Sequence, residues 1–427
     1  MGITKSGTRV TCTVDGSKGY SVASAFTMND IFDESEANGW GMIKNIVGLS
    51  QLLYVFYVPF SIYIDDDTYF IMYQYGKQLA IFFNCEVPDD YYPFFSRNKS
   101  HVLIGREGSG SNQDPVMISV VGVANSTSYR RMWFAGDIKI CNLHLFGSNY
   151  TYLLGSAADN AQAIMKNSFL HDLNFALQFN DSAEMYNVQR NKGTYGFWAN
   201  TIEGTAIMED CVIVYCYYGI LCQGYYNRAK GIKIINSEYG DTYMRCGNGG
   251  DKVSEWVDCT IDKAKIGWYN SGSTPNTLNE QFLISTTTFH IKDVNNDPVS
   301  GASVKVYSAQ DTLLFEGITD ENGEIIEEEI KYYYAWRIAS GAVTDDEGST
   351  DYEPLRIVIS KSPFRDTEIN DIYIVSGQPT VIYATLYEEV YYDRALSASV
   401  SAEEIMGSVY APEVAGEVYA VEIEAEI

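Results

Sequence analysis

Apolar residues along this chain fall in short runs that alternate with polar ones, and one such run recurs. Ala163-Ile164-Met165-Lys166-Asn167-Ser168 aligns with Ala206-Ile207-Met208-Glu209-Asp210-Cys211, and the same offset carries Phe175-Ala176-Leu177 onto Tyr218-Gly219-Ile220. An intermediate copy, Met185-Tyr186-Asn187-Val188 with Gly196-Phe197-Trp198, lies between them. Looser copies follow at Ile234-Ile235-Asn236-Ser237 and Trp256-Val257-Asp258-Cys259. The recurring Asn/Asp positions are therefore 167, 187, 210, 236 and 258. Such a period is too short for helical repeats and lacks the leucine pattern of leucine-rich repeats. It fits coils of about three short strands stacked at strand spacing, with inward apolar residues in columns and Asn/Asp side chains laddered at one turn. A large jelly roll is the competing architecture.

The flanks read differently. Residues 1–60 form an N-terminal capping or docking segment, with a strand over 8–14 and a helix opening near Met28, capped by Asn29 or Asp30 and ended by Gly39-Trp40-Gly41. Residues 61–285 are the coil stack. Residues 286–390 alternate strands with turns: Phe289 to Lys292, the turn Asp293 to Pro298, then Val304 to Tyr307, and a second turn at Asp320-Glu321-Asn322-Gly323. Residues 391–427 are an acidic extension whose end alternates Glu with apolar residues. It reads as strand that joins a neighbouring sheet.

The periodicity over roughly residues 100 to 280 resembles the pectate-lyase-like parallel β-helix superfamily. That superfamily includes polysaccharide lyases and hydrolases, phage tailspikes and non-enzymatic surface proteins. The segment 286–390 resembles the carboxypeptidase-regulatory-like, transthyretin-like sandwiches, which imply a spacer or adhesive module. The expected fold is all-β: a right-handed parallel β-helix, a small Ig-like β-sandwich and a C-terminal strand extension. By resemblance to phage β-helix proteins, a homotrimer is expected.

Charge narrows the partners. The 427 residues carry 56 Asp and Glu against 29 Lys and Arg, a formal net charge of -27. Such a field repels phosphate backbones and anionic membranes, so no nucleic acid and no membrane insertion are expected. The 34 Tyr point to stacked strands or to contact surfaces. None of the eight Cys forms a CxxC pair, and Cys211, Cys216 and Cys222 read as small core residues. The start, Met1 to Gly7, is polar and has no secretory pattern.

No catalytic, cofactor or metal site is assigned. A β-helix polysaccharidase would need carboxylates converging on one face. The available ones are Asp172, Asp181, Glu184, Glu203, Glu209, Asp210, Glu238 and Asp241, with Arg190, Arg228 and Arg245 as cations. On stacked coils Asp210 is placed near Asp258 or Glu238. Asp65-Asp66-Asp67 reads as a solvated turn. The expectation is a non-catalytic virion surface protein (head fibre, capsid decoration, tail fibre or spike) that contacts other virion proteins and host glycans. A cellular surface-layer protein or adhesin and a polysaccharide-degrading tailspike are the alternatives.

Overall fold

Strands of four to six residues with alternating burial, joined by corners, leave each coil no choice but to bury its apolar side against the next. The computed structural model describes residues 2–48, 53–73, 77–83, 92–106, 116–120, 130–147, 151–154, 162–171, 173, 175–179, 182–199, 205–222, 226–246, 250–270, 277–339, 346–388, 407–409 and 423–425. The chain divides into two compact units, residues Met1–Gln281 with Ala335–Gly348, and Phe282–Tyr334 with Ser349–Ile427. Among the described residues no helix is long and apolar enough to cross a membrane.

The first unit is the expected parallel β-helix, with three faces. Face I stacks Tyr69–Met72, His101–Ile104 and Asp137–Cys141 in parallel and continues through Thr205–Glu209, Tyr226–Lys230 and Lys252–Val257. Face II stacks Leu53–Val58, Gln78–Phe83, Val116–Val120 and Leu143–Phe146, and ends at Lys233–Ile235. Face III runs from Arg9–Cys12 through Ser61–Ile64 and Phe94–Ser96 to Gly240–Cys246 and Ile266–Asn270. The register makes the core columnar. On face I, Met72, Ile104, Ile140, Met165, Met185, Met208, Ala229 and Trp256 lie one above the next, and all are buried.

The corner between faces I and II explains the Asn/Asp signature. Asn142, Asn167, Asn187, Asp210 and Asp258 all have φ between 47° and 54°, the left-handed region. Asn and Asp tolerate it better than other side-chain-bearing residues, because their short polar groups bond locally. Asn187 Nδ2 donates to Asn167 Oδ1 at 2.9 Å, the expected ladder contact. One rung differs from expectation. Asn236 is not in this column: it stacks beside Tyr215 at another corner, where φ is 55° and 54°. The rung between Asp210 and Asp258 is Gly231, φ 65°. Gly serves there for a second reason, since a Cβ would lie 2.7 Å from Asp210 Oδ1.

A prediction follows from the backbone at this corner. Asn187→Val, β-branched in the left-handed region and stripped of its ladder bond, is expected to lower unfolding stability by about 2 kcal/mol. Asn187→Gly is expected to stay within about 0.5 kcal/mol. Urea midpoints decide it, and equal losses for the two variants would refute the backbone explanation.

The residue after this corner turns inward: Leu143, Ser168, Val188, Cys211, Ile232 and Cys259 are buried. Cys12, Cys141, Cys211, Cys216, Cys222, Cys246 and Cys259 are all buried free thiols. Burial pushes Cys211, Cys222 and Cys259 up to about 12, so they pack as apolar groups and not as nucleophiles. Cys85 lies outside the described residues.

The predicted helix forms over Met28–Asn38. Its cap is Thr27 rather than Asn29 or Asp30. Thr27 Oγ1 accepts from the Asp30 amide, and the Thr27 amide donates back to Asp30 Oδ2 at 2.7 Å, so Asp30 completes a capping box. Gly39, at φ 65°, ends the helix as expected. Phe32 meets Phe56 edge-on at 6.4 Å, which seats the helix on a face II strand.

The second unit is a two-sheet sandwich. Leu313–Ile318, Ser303–Tyr307, Leu355–Ser360 and Thr367–Ile372 form one antiparallel sheet. The strand Thr277–Asp293 pairs in parallel with Thr380–Leu386 in the other. Phe289, Ile291, Val304, Val306, Ile357 and Ile359 are among the residues that fill the space between them. Both predicted turns are held by Asp side chains: Asp293 Oδ1 accepts from the amides of Asn295 and Asp297, and Asp320 Oδ1 from those of Asn322 and Glu324. These amide bonds hold the Asp320 carboxyl below its ordinary range. In the extension, Gly407–Val409 and Ile423–Ala425 pair antiparallel with each other.

Candidate functional site

Among the described residues, the carboxylates expected from sequence do not converge as one set. Glu184 and Glu209 share a face I neighbourhood around Tyr186, and Asp210 stands at the corner that follows. The Tyr186 hydroxyl donates to Glu184 Oε2 at 3.2 Å, and Glu209 is its register partner on the next coil. Burial, Glu184 and Glu209 push the Tyr186 phenol up. Asp210 is separated from Asp258 by the Gly231 coil, and Glu238 lies at the other corner, its amide bonded to the Cys216 carbonyl. The expected Asp210 proximity to Asp258 or Glu238 is therefore corrected.

Asp241 is an internal strut. It accepts from Ser237 Oγ and, at 2.8 Å, from the Asp262 amide, while Lys265 Nζ donates to the Ser237 carbonyl at 2.8 Å. Burial pushes its carboxyl up against these bonds. Arg228 is paired with Glu255 at 2.7 Å. Asp172, Asp181 and Glu203 lie outside the described residues, as do the side chains of Arg190 and Arg245. Asp65 and Asp66 are ion-paired to Arg97 at 3.1 and 3.9 Å, and Asp67 turns the chain at φ 58°.

Two surface features stand out that no local motif announced. The first is the outer side of face II. One outward row is Ile43, Tyr57, Phe82, Ser119, Phe146 and His171, continued by Asn191, Val214 and Ile235. The adjacent row is Asn45, Val55, Ala80, Met117, His144 and Phe169, continued by Gln189, Val212 and Lys233, and it is covered at its second and third strands, where Val55 and Ala80 are buried. Neither row contains an Asp or Glu, in a chain with 56 of them. Face I, by contrast, turns Asp137, Lys139, Glu184, Glu209 and Glu255 outward. The face II rows also hold exposed apolar surface: Met117 is 43% and Phe146 36% exposed. Rings meet along it, Tyr57 stacked on Phe82 at 5.3 Å and Phe146 tilted against Phe169 and His171 at 6.4 and 6.1 Å. At strand spacing, the nine strands span roughly 38 Å.

The second feature is an open groove of about 620 Å³ on the outer side of face III, lined by Arg9, Tyr63, Asp66, Tyr92, Phe95, Arg97, Asn98 and Lys99. Its floor is a ladder across coils, in register from Tyr63 to Phe95 to Trp133. Tyr63 and Phe95 are 5.2 Å apart. Tyr92 stands across them, edge-on to Phe95 at 5.4 Å and to Trp133 at 6.2 Å. The Arg9 guanidinium lies 3.8 Å from the centre of the Tyr63 ring.

No protein-family model matches the chain, and no curated protein matches it. Among solved structures it is similar to the enzymatically active domain of tailspike protein 2 of bacteriophage CBA120. The identity is 11%, over 75% of this chain and 71% of that one, with a TM-score of 0.24. The assignment of the fold rests on the strand register described above.

Proposed function

We propose that this chain is a non-catalytic structural protein of a tailed virus's virion surface, a head fibre, capsid decoration, tail fibre or spike, serving as scaffold and as adhesin for host-surface glycans. The observation that carries the reading is the aromatic outer side of face II, whose two described rows hold no carboxylate. Each copy carries a formal charge of -27, so two copies meet at least cost where neither presents acid. The occupant of that face is a second copy of this chain, in a homotrimer. The sandwich, read as a carboxypeptidase-regulatory-like module, is a spacer or adhesive module. Nucleic acid is not a partner in this reading, and the chain does not insert into membranes.

Two outcomes test it. Met117→Glu with Phe146→Glu places carboxylates on exposed positions of the face, so the thermal melt is expected to hold while sedimentation velocity shifts from trimer to monomer. A wild-type monomer, or a variant that stays trimeric, would remove face II as the interface. Mass spectrometry of purified particles is expected to find the chain at a fixed ratio to the major capsid protein, divisible by three. Recovery only from cell-wall fractions would replace the virion reading with that of a cellular surface protein.

A further inference from the structure

We infer that the face III groove is a subsite for a neutral saccharide, held with its apolar side on the Phe95 and Tyr92 rings and its hydroxyls on the polar rim. The inference deepens the adhesin reading and rests on it. Its first support is that charges at this groove already answer one another. Arg97 Nε pairs with Asp65 Oδ1 at 3.1 Å, and Asp65 Oδ2 accepts the Thr13 hydroxyl at 3.1 Å. The Arg9 guanidinium lies on the Tyr63 ring, 3.8 Å from its centre. An ionic ligand would compete with these contacts, whereas a neutral one leaves them in place. The walls are also braced across coils. The Arg97 amide donates to the Ile64 carbonyl at 2.9 Å, the Asp67 amide to the Lys99 carbonyl at 3.1 Å, and the Lys99 amide to Asp66 Oδ1 at 3.1 Å. The groove is therefore fixed before any ligand arrives, which lowers the ordering cost of binding.

The second support is shape and lining. At about 620 Å³ the groove has the size of a small-ligand site. With Arg9 over Tyr63, the ring surface left to a ligand is that of Phe95 and Tyr92, both half-buried and inclined to each other by 66°. Two rings at that angle make an apolar corner for one side of a sugar ring. Around them the lining offers hydrogen-bonding groups of both kinds: the Asp66 carboxylate accepts, and the Asn98 amide and the Tyr92 hydroxyl can each donate and accept. Arg97 and Asp66 Oδ2 stand 3.9 Å apart, too far for a direct hydrogen bond, so a ligand hydroxyl can accept from the first and donate to the second. A proline-rich peptide, another ligand that aromatic grooves take, brings carbonyl acceptors and few donors, and would leave Asp66 and the Asn98 carbonyl unanswered. Saccharide hydroxyls donate and accept at once, which is what this rim requires.

The test titrates the full chain by calorimetry, at low and high salt, with neutral hexasaccharides of glucose, galactose, mannose and N-acetylglucosamine, with a glucuronate-containing hexasaccharide and with an oligoproline peptide. At least one neutral probe is expected to bind, more tightly than the glucuronate and proline probes, and to hold its affinity as salt rises. Phe95→Ala and Tyr92→Ala are each expected to weaken that binding about tenfold, and Asn98→Ala about fivefold. Tyr239→Ala removes a ring that is 61% exposed at another corner of the stack and is expected to leave the binding unchanged. Thermal melts check each variant, and Phe95→Leu with Asn98→Ala keeps the result readable should Phe95→Ala unfold. Silence from all four neutral probes, tighter binding of the glucuronate or proline probe, affinity that falls with salt, or an equal loss from Tyr239→Ala overturns the subsite. If the subsite fails while particles still adsorb to host cells through this chain, the adhesin reading stands with a different contact. If the groove binds as expected but particles do not adsorb through this chain, the adhesin reading falls alone.

Discussion

Gly219→Val is expected to abolish the native coil stack under conditions where the wild type is folded. Gly219 sits on face III in line with Gly196 above and Asp241 below, as the pairs Tyr195 to Tyr218 and Tyr218 to Gly240 require. A Cβ at Gly219 would overlap the Asp241 carbonyl and lie 3.1 Å from both Cδ1 and Cγ2 of Ile234. Gly196 has the same problem one coil earlier, against the Gly219 carbonyl and Ile213 Cγ2 at 2.6 Å. The cause is the same in both coils: an inward Ile from face II fills the space a side chain would need, so only glycine lets the coils close. Backbone cannot yield as a flexible side chain does. Moving Asp241 would also break its bonds to Ser237 and to the Asp262 amide. Overpacking of this kind costs about 3 kcal/mol or more, a large share of the 5–15 kcal/mol that holds a typical domain. Circular dichroism melts and limited proteolysis read the result. Ile234→Ala added to Gly219→Ala is expected to recover only part of the loss, because the carbonyl contact remains. A Gly219→Val protein that melts within about 2 °C of wild type, a shift worth less than 1 kcal/mol, would mean that the glycine column is not close-packed.

How much of this was visible in the sequence depends on whether a signal was local. The alignment of Ala163 with Ala206 and of Phe175 with Tyr218 holds in the register, through Ala183 and Tyr195 between them. These coils are short and lack long insertions, so their period survives. Gly231 leaves no mark in the Asn/Asp signature because glycine and asparagine reach the left-handed region by different means. Asn236 was misplaced because it has the same backbone at a different corner, and nothing in the residue says which corner it occupies. The earlier coils gave no period at all: Phe70, Val102 and Ile138 are stacked neighbours, but segments of differing length separate them. The same holds for both surface features. Tyr63, Phe95 and Trp133, and the acid-free rows of face II, come from residues far apart in the chain. The absence of a carboxylate becomes a pattern only when the strands are laid side by side. The sandwich was easier, because its turns carry their own chemistry in Asp293 and Asp320.

Trp256→Ala is expected to be the most costly core truncation in the stack. Trp256 is 1% exposed in the face I column, with Ala229 directly above it in register and the strand Thr277–Asp293 pairing beyond its own. The pairing of a small residue with the largest one is what keeps the column filled as it passes from methionine to tryptophan. Removing the indole leaves a cavity, for which Trp→Ala changes cost about 3–5 kcal/mol. It also takes away a donor. Trp256 Nε1 bonds the side-chain carbonyl of Gln281 at 3.2 Å, and Gln281, fully buried, uses its amide on the Gly267 carbonyl at 3.2 Å. A buried acceptor left alone adds about 1–3 kcal/mol. Trp256→Phe separates the two contributions: it keeps most of the volume and loses the donor, so its cost should fall near 2 kcal/mol. Ala229→Leu offers the complementary test. Alone it overpacks against Trp256 and destabilises by about 1–3 kcal/mol. Combined with Trp256→Ala it reaches into the vacated space, so the double variant is expected to be more stable than the sum of the single losses allows. Urea unfolding of the four proteins closes the cycle. Strict additivity would mean that Ala229 and Trp256 do not share one packed layer and that the columnar core stops above them.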